Sequence, residues 1–135
     1  MRQAGRLEEL YADYGDKAAF LVVYIREAHA ADSDWPLRSR DGEKINDPKT
    51  LEERQSVAKK CANKINFSMP MVIDELSDVA ASAYGGHPDR LYIVGKDGRV
   101  AFQGGPGPRG FRPDDMEDAL KEILAKGGVR RAWRF

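Results

Sequence analysis

Seven consecutive apolar, β-branched or aromatic residues, Ala19-Phe20-Leu21-Val22-Val23-Tyr24-Ile25, limit what this chain can become more than any other feature. A strand without polar alternation has no face for solvent, and such strands sit inside parallel sheets covered by helices on both sides. The run predicts a central strand over 19–25 and an α/β architecture. Before it, Leu7, Leu10, Tyr11 and Tyr14 recur at the spacing of one helix face, and Gly15 stands where a left-handed C-terminal cap is wanted. After it, Thr50-Leu51-Glu52-Glu53 is a capping box, in which hydroxyl and carboxylate satisfy each other's free backbone amides. Val57, Ala58, Cys61, Ala62 and Ile65 form the buried stripe of the helix it opens. Met69-Pro70-Met71-Val72-Ile73-Asp74 is a second strand, entered through proline. Strand, helix, strand in that order predicts a right-handed parallel crossover.

The rest of the chain extends this pattern. A short helix is expected through Val79, Ala80 and Tyr84. Arg90-Leu91-Tyr92-Ile93-Val94 and Arg99-Val100-Ala101-Phe102-Gln103 flank Lys96-Asp97-Gly98, whose Asp-Gly pair suits the positive backbone angles of a tight hairpin turn. Gly104-Gly105-Pro106-Gly107-Pro108 breaks regular structure, and Pro113 opens a last helix with Asp114, Asp115 and Glu117 against its dipole. Met116, Leu120, Ile123 and Leu124 are its core face, and it ends at Gly127. Residues 1–127 are expected to be one domain and 128–135, with Arg130, Arg131, Trp133 and Arg134, a solvated basic tail. Residues 26–47 are polar, with Asp32-Ser33-Asp34, Pro36 and Asp41-Gly42, and make a loop longer than ordinary connections, hence functional or inserted.

Charge and cysteine content exclude several classes. Lys plus Arg is 22 and Asp plus Glu is 22, so no net field gathers phosphates, and a nucleic-acid partner is not expected. The single cysteine closes no internal disulfide and builds no zinc site alone. No apolar run approaches the roughly 18 residues of a membrane helix, and the charged first residues do not read as a signal peptide. The expectation is a soluble cytoplasmic protein without a membrane partner.

The order helix, strand, helix, strand, helix, hairpin, helix is that of a thioredoxin-like fold, a mixed sheet flanked by helices, without its first strand. In that fold the first strand lies between strand 19–25 and strand 90–94, and the redox nucleophile sits where it meets the first helix. The residues carry a resemblance as well. Leu10-Tyr11 through Tyr14, Phe20 to Arg26 with Glu27-Ala28-His29, Leu51-Glu52-Glu53-Arg54, Pro70 with Asp74, Ala83-Tyr84-Gly85, Arg90 to Val94, and Gln103-Gly104-Gly105 with Gly107-Pro108 resemble the iodothyronine deiodinase family in register. The resemblance implies a thioredoxin-fold oxidoreductase that removes iodine reductively, either a selenoenzyme or one of the family's bacterial redoxin relatives. By the same register the family's selenocysteine or cysteine would fall just ahead of Met1, so the nucleophile is expected upstream, behind an in-frame TGA or cysteine codon. A family histidine falls on Pro48, a family arginine falls on Pro106, and one extra residue stands between Asp32 and Trp35. These departures weigh against thyroid-hormone recognition.

The candidate site follows from position and from that resemblance. His29 comes just past the end of the central strand, where open α/β sheets bind ligands, and an imidazole with an ordinary pKa near 6.5 could protonate a carbon or leaving group. Glu27 would hold the ring's other nitrogen. Trp35 could wall a phenolic substrate or anchor its loop, and Arg90, next to His87-Pro88-Asp89, could bind an anionic group or make a surface salt bridge. Cys61, on an apolar helical face, reads as a small core residue, its competing role being a resolving thiol. Three functions remain open: a deiodinase-like redoxin inactive as this chain, a nonenzymatic thioredoxin-like module that binds through an exposed sheet edge, and a thiol peroxidase using Cys61. The first implies a small, halogenated aromatic substrate and an external thiol reductant, with no bound cofactor or metal. Two open inner edges also predict self-association.

Overall fold

The computed structural model describes residues 2–34, 36 and 43–127. Its elements follow in the expected order: α1 (Arg2–Tyr14), β1 (Val22–Tyr24), α2 (Leu51–Ile65), β2 (Met71–Ile73), α3 (Val79–Tyr84), β3 (Tyr92–Val94), β4 (Val100–Gln103) and α4 (Pro113–Ala125). The basic tail and Trp35 lie outside the described residues.

The crossover forms as expected. β1 pairs parallel with β2, Val22 opposite Met71 and Tyr24 opposite Ile73. The strands are much shorter than the apolar runs. The ladder is bounded by Val22 N–H on Pro70 O and Asp74 N–H on Tyr24 O, both 2.9 Å; proline has no N–H to carry it further, and Asp74 turns away into the next element. The expectation of a strand buried on both faces is corrected. Leu21 is 48% and Val23 42% exposed, and Val72, opposite Val23, is exposed too. α2 packs on β2, and the face that carries Val22, Tyr24, Met71 and Ile73 is half-buried. The other face of the pair is exposed among the described residues.

β3 and β4 form an antiparallel hairpin with an irregularity between Ile93 and Val94. The turn falls on Lys96-Asp97-Gly98 as expected, and what is corrected is the positive backbone angle expected at Asp97. Gly98 alone of the Asp-Gly pair is left-handed, at φ 77°. The loop closes through Gly95 N–H on Arg99 O at 2.8 Å, and the Asp97 carboxylate accepts from Arg99 N–H at 3.0 Å. A loop over Lys96–Gly98 with a left-handed glycine at its end is the next most favoured hairpin connection. The two strand pairs are separate two-stranded sheets, as a mixed sheet without the strand expected between 19–25 and 90–94 would leave them.

The core lies under the hairpin. Leu10 of α1, Ala18, Ile93 of β3, and Met116 and Leu120 of α4 are buried together, flanked by Leu7, Tyr14, Phe20, Leu91 and Phe102. A polar clasp joins the two helices, with Arg6 on Asp114 at 2.8 Å and on Glu117, which also accepts from Tyr14 at 2.9 Å. Gly15 does end α1, though not as a left-handed cap. Its N–H donates to Tyr11 O at 2.9 Å, and a Cβ there would stand 2.6 Å from that oxygen, so closeness requires the glycine. The capping box of α2 forms as read, with Glu53 N–H on Thr50 Oγ1 at 3.1 Å and Thr50 N–H on Glu53 Oε2 at 3.3 Å.

Candidate functional site

The chain leaves β1 at Ile25 and enters a segment pinned by short bonds. Ala30 is buried, Ala31 N–H donates to Ile45 O at 2.7 Å, and Asp47 N–H donates to Asp32 Oδ1 at 2.8 Å. That last bond holds the Asp32 carboxyl below its usual range. The loop between β1 and α2 is therefore fastened to itself at the level of residues 30–32 and 45–47. His29 stands exposed on this fastened turn, and Glu27, two residues before it, is half-buried.

Burial pushes the Glu27 carboxyl up, the negative charge of Asp47 adds to this, and Arg54 opposes it. Cys61 is half-buried, and its thiol is raised first by desolvation and then by the charge of Glu27. Glu27 thus lies among the loop at Asp47 and the α2 residues Arg54 and Cys61. A raised thiol holds little thiolate.

Arg54 is the residue that sequence reasoning missed. It is 2% exposed, in line with Ala58 and Cys61 on the buried face of α2. Nη1 donates to Glu75 O at 2.7 Å, Asp78 Oδ1 at 3.1 Å and Asp74 O at 3.3 Å. Asp74, also buried, accepts from Glu75 N–H, Ala80 N–H and Ala81 N–H at 2.8–2.9 Å. Burial would raise this carboxyl, but the three backbone donors outweigh it, and its pKa lies below the usual range. Together Arg54 and Asp74 fix the bend from β2 into α3 and the strained Asp78, at φ 57°. Asp78 also faces Arg26 at 3.9 Å, so the bend reaches back to the segment that carries Glu27 and His29.

Past α3, the His87-Pro88 peptide is cis. Arg90 donates from Nε to Gly104 O at 2.8 Å and from Nη1 to Gly85 O at 3.2 Å, so its partners are backbone carbonyls where a surface salt bridge was one expectation. Gly107 N–H donates to Asp89 O at 3.0 Å, and Gly104 N–H to Leu91 O at 2.8 Å. The glycine-rich stretch after β4 is thereby laced to the residues before β3. A Cβ on Gly86 would lie 3.8 Å from Ile25 Cδ1, which sets the end of α3 against the end of β1. No group of three or more potential metal ligands occurs among the described residues.

With β1, its exit segment and the loop before β3 in place, comparison with known proteins decides the ancestry. The iodothyronine deiodinase family profile matches residues 1–124. The chain belongs to the iodothyronine deiodinase family. A type I iodothyronine deiodinase of Xenopus laevis is 32% identical over 118 residues, 87% of this chain and 45% of that protein. A thyroxine 5-deiodinase of Sparus aurata is 35% identical over 122 residues, 90% and 44% of the two chains, and one of Gallus gallus is 30% identical over 126 residues, 93% and 47%. The chain spans less than half the length of these relatives. Deiodinases have the thioredoxin-like fold, and the α/β order found here agrees with it. The cytoplasmic placement is corrected by the same match, because the relatives are vertebrate deiodinases, which are integral membrane proteins. Among the described residues no helix is long and apolar enough to cross a membrane.

Proposed function

We propose that this domain supplies the acid–base side of a deiodinase-like reductive site, and that the chalcogen nucleophile is not Cys61. The observation that carries this is the placement of Glu27-Ala28-His29 at the carboxyl end of β1, with the imidazole exposed on a pinned turn and the Glu27 carboxyl turned inward. A thiolate or selenolate from polypeptide outside these residues attacks the iodine of an aryl iodide. The carbon–iodine bond breaks, the carbon takes its proton from His29, and iodine passes to the chalcogen. A second thiol then releases iodide and leaves a disulfide or selenenylsulfide, so two thiols are oxidised for each carbon–iodine bond reduced. The names of the relatives make thyroxine the first substrate to try, against the departures at Pro48 and Pro106 that weigh the other way.

Cys61 is half-buried with a raised thiol in mid-α2, which suits a packing residue and not an attacking one. Iodide release from thyroxine with dithiothreitol tests this. The 135-residue chain is expected to give none, and Cys61 in the native protein to react slowly with a thiol reagent. Turnover by the chain that Cys61→Ala abolishes would overturn it and make Cys61 the attacking thiol.

A further inference from the structure

The turn that ends α3 and the exposed face of β3 and β4 border an open cleft of about 570 Å³, a volume within the range of small-molecule sites. Its lining includes Tyr84, Gly85, Arg90, Tyr92, Val100 and Gln103. We propose that this cleft binds a flat aromatic carboxylate, with the ring against Tyr84 and Val100 and the carboxylate on Arg90.

The walls are apolar and held in place. Tyr84 and Tyr92 meet edge to face, with centroids 5.1 Å apart and planes at 79°. The Tyr92 hydroxyl donates to Tyr84 O and accepts from Gln103 Nε2 at 3.0 Å, so neither end of that ring is free to swing. Tyr84 is 47% and Val100 50% exposed, which leaves aromatic and aliphatic surface in water that a planar ring would cover.

The polar end is a single cation. Among the described residues Arg90 is the one charged side chain in the lining, which includes no acid. Two neutral carbonyls fix the plane of its guanidinium through Nε and Nη1. Nη2 has no acceptor among the described residues. Carbonyls orient a guanidinium without neutralising it, and the planar fork suits a carboxylate. One cation already engaged on two sides matches a single negative charge better than a phosphate dianion. The space for that fork depends on Gly85, left-handed at φ 55°, where a Cβ would come within 2.9 Å of Arg90 Nη1.

The proposal stands on the cleft and not on the reductive chemistry, so a ligand that never reacts can test it. The probe is 2-naphthoate, titrated into the 135-residue protein and followed by amide chemical shifts. Saturable shifts are expected at Gly85, Tyr92 and Gly104. Binding of 2-naphthol, which lacks the carboxylate, and of cyclohexanecarboxylate, which lacks the flat ring, should each be weaker by about tenfold or more. Val100→Glu, at an exposed wall position, should weaken 2-naphthoate by about tenfold through charge repulsion, and Arg90→Lys should do so by losing the fork. Melting curves verify that both variants are folded, and Val100→Glu decides the matter should Arg90→Lys be unstable. Equal binding of 2-naphthoate and 2-naphthol, unchanged affinity in folded Val100→Glu, or no saturation at all would overturn the proposal.

Discussion

Glu27 makes the chemistry of the site measurable without any substrate. Its carboxyl is pushed up by burial and by Asp47, with Arg54 opposing. Between its ordinary value and the raised folded one, the native state holds a proton that the unfolded chain has released, so stability falls as pH rises through that window. Glu27→Gln removes the penalty of ionising a buried acid. Urea midpoints should therefore show the variant gaining on the parent protein from acid toward neutral pH, with the difference vanishing below the ordinary glutamate range. A variant that loses ground toward neutral pH would mean that the Glu27 carboxylate is stabilised by a partner. The sequence made Glu27 and His29 visible because they follow an apolar run directly. Arg54 was hidden, because arginine reads as a solvent-facing residue and its acceptors at Asp74, Glu75 and Asp78 belong to a different element. Its line-up with Ala58 and Cys61 at helical spacing was the available signal.

Helices announced themselves more fully than strands, and the reason is local. The capping box at Thr50 and Glu53 is satisfied within a few residues, with Glu53 Oε2 accepting also from Lys49 N–H at 2.7 Å. Thr50→Ala should cost about 1 kcal/mol of stability, read as a shift of the urea midpoint with unchanged slope; no shift would show that the reciprocal bond contributes nothing in water. Pro113 and Gly127 bounded α4 in the same local way. Strand length instead depends on what lies alongside. The apolar run at 19–25 was legible, but β1 shrinks to Val22–Tyr24 because it has β2 on one edge and no strand of the described residues on the other. The Asp97-Gly98 pair marked a turn without fixing its length, since the bond from Gly95 to Arg99 sets the closure.

At the scale of the whole molecule, the two separate strand pairs are the dominant fact. β1 and β3 each keep one edge without a strand partner among the described residues, and Leu21, Val23 and Val72 leave apolar surface open beside the first. Open edges of this kind recruit further strands, so sedimentation at micromolar concentration should show self-association that Val23→Lys weakens; a monodisperse monomer at every concentration would contradict this. The order of elements was legible because hydrophobic periodicity and turn residues are written into each segment. Location was not, because composition speaks only for these 135 residues, and the match covers under half of each relative. The central claim, that His29 delivers the proton while the chalcogen comes from elsewhere, is tested most directly by iodide release from thyroxine. The polypeptide to use is this chain extended ahead of Met1 by an apolar strand that ends in cysteine or selenocysteine. The extended protein is expected to release iodide with a thiol reductant, His29→Ala to slow it by about 100-fold, and Cys61→Ala to leave it unchanged. Full activity in the His29→Ala protein, or activity that disappears with Cys61, would contradict the account.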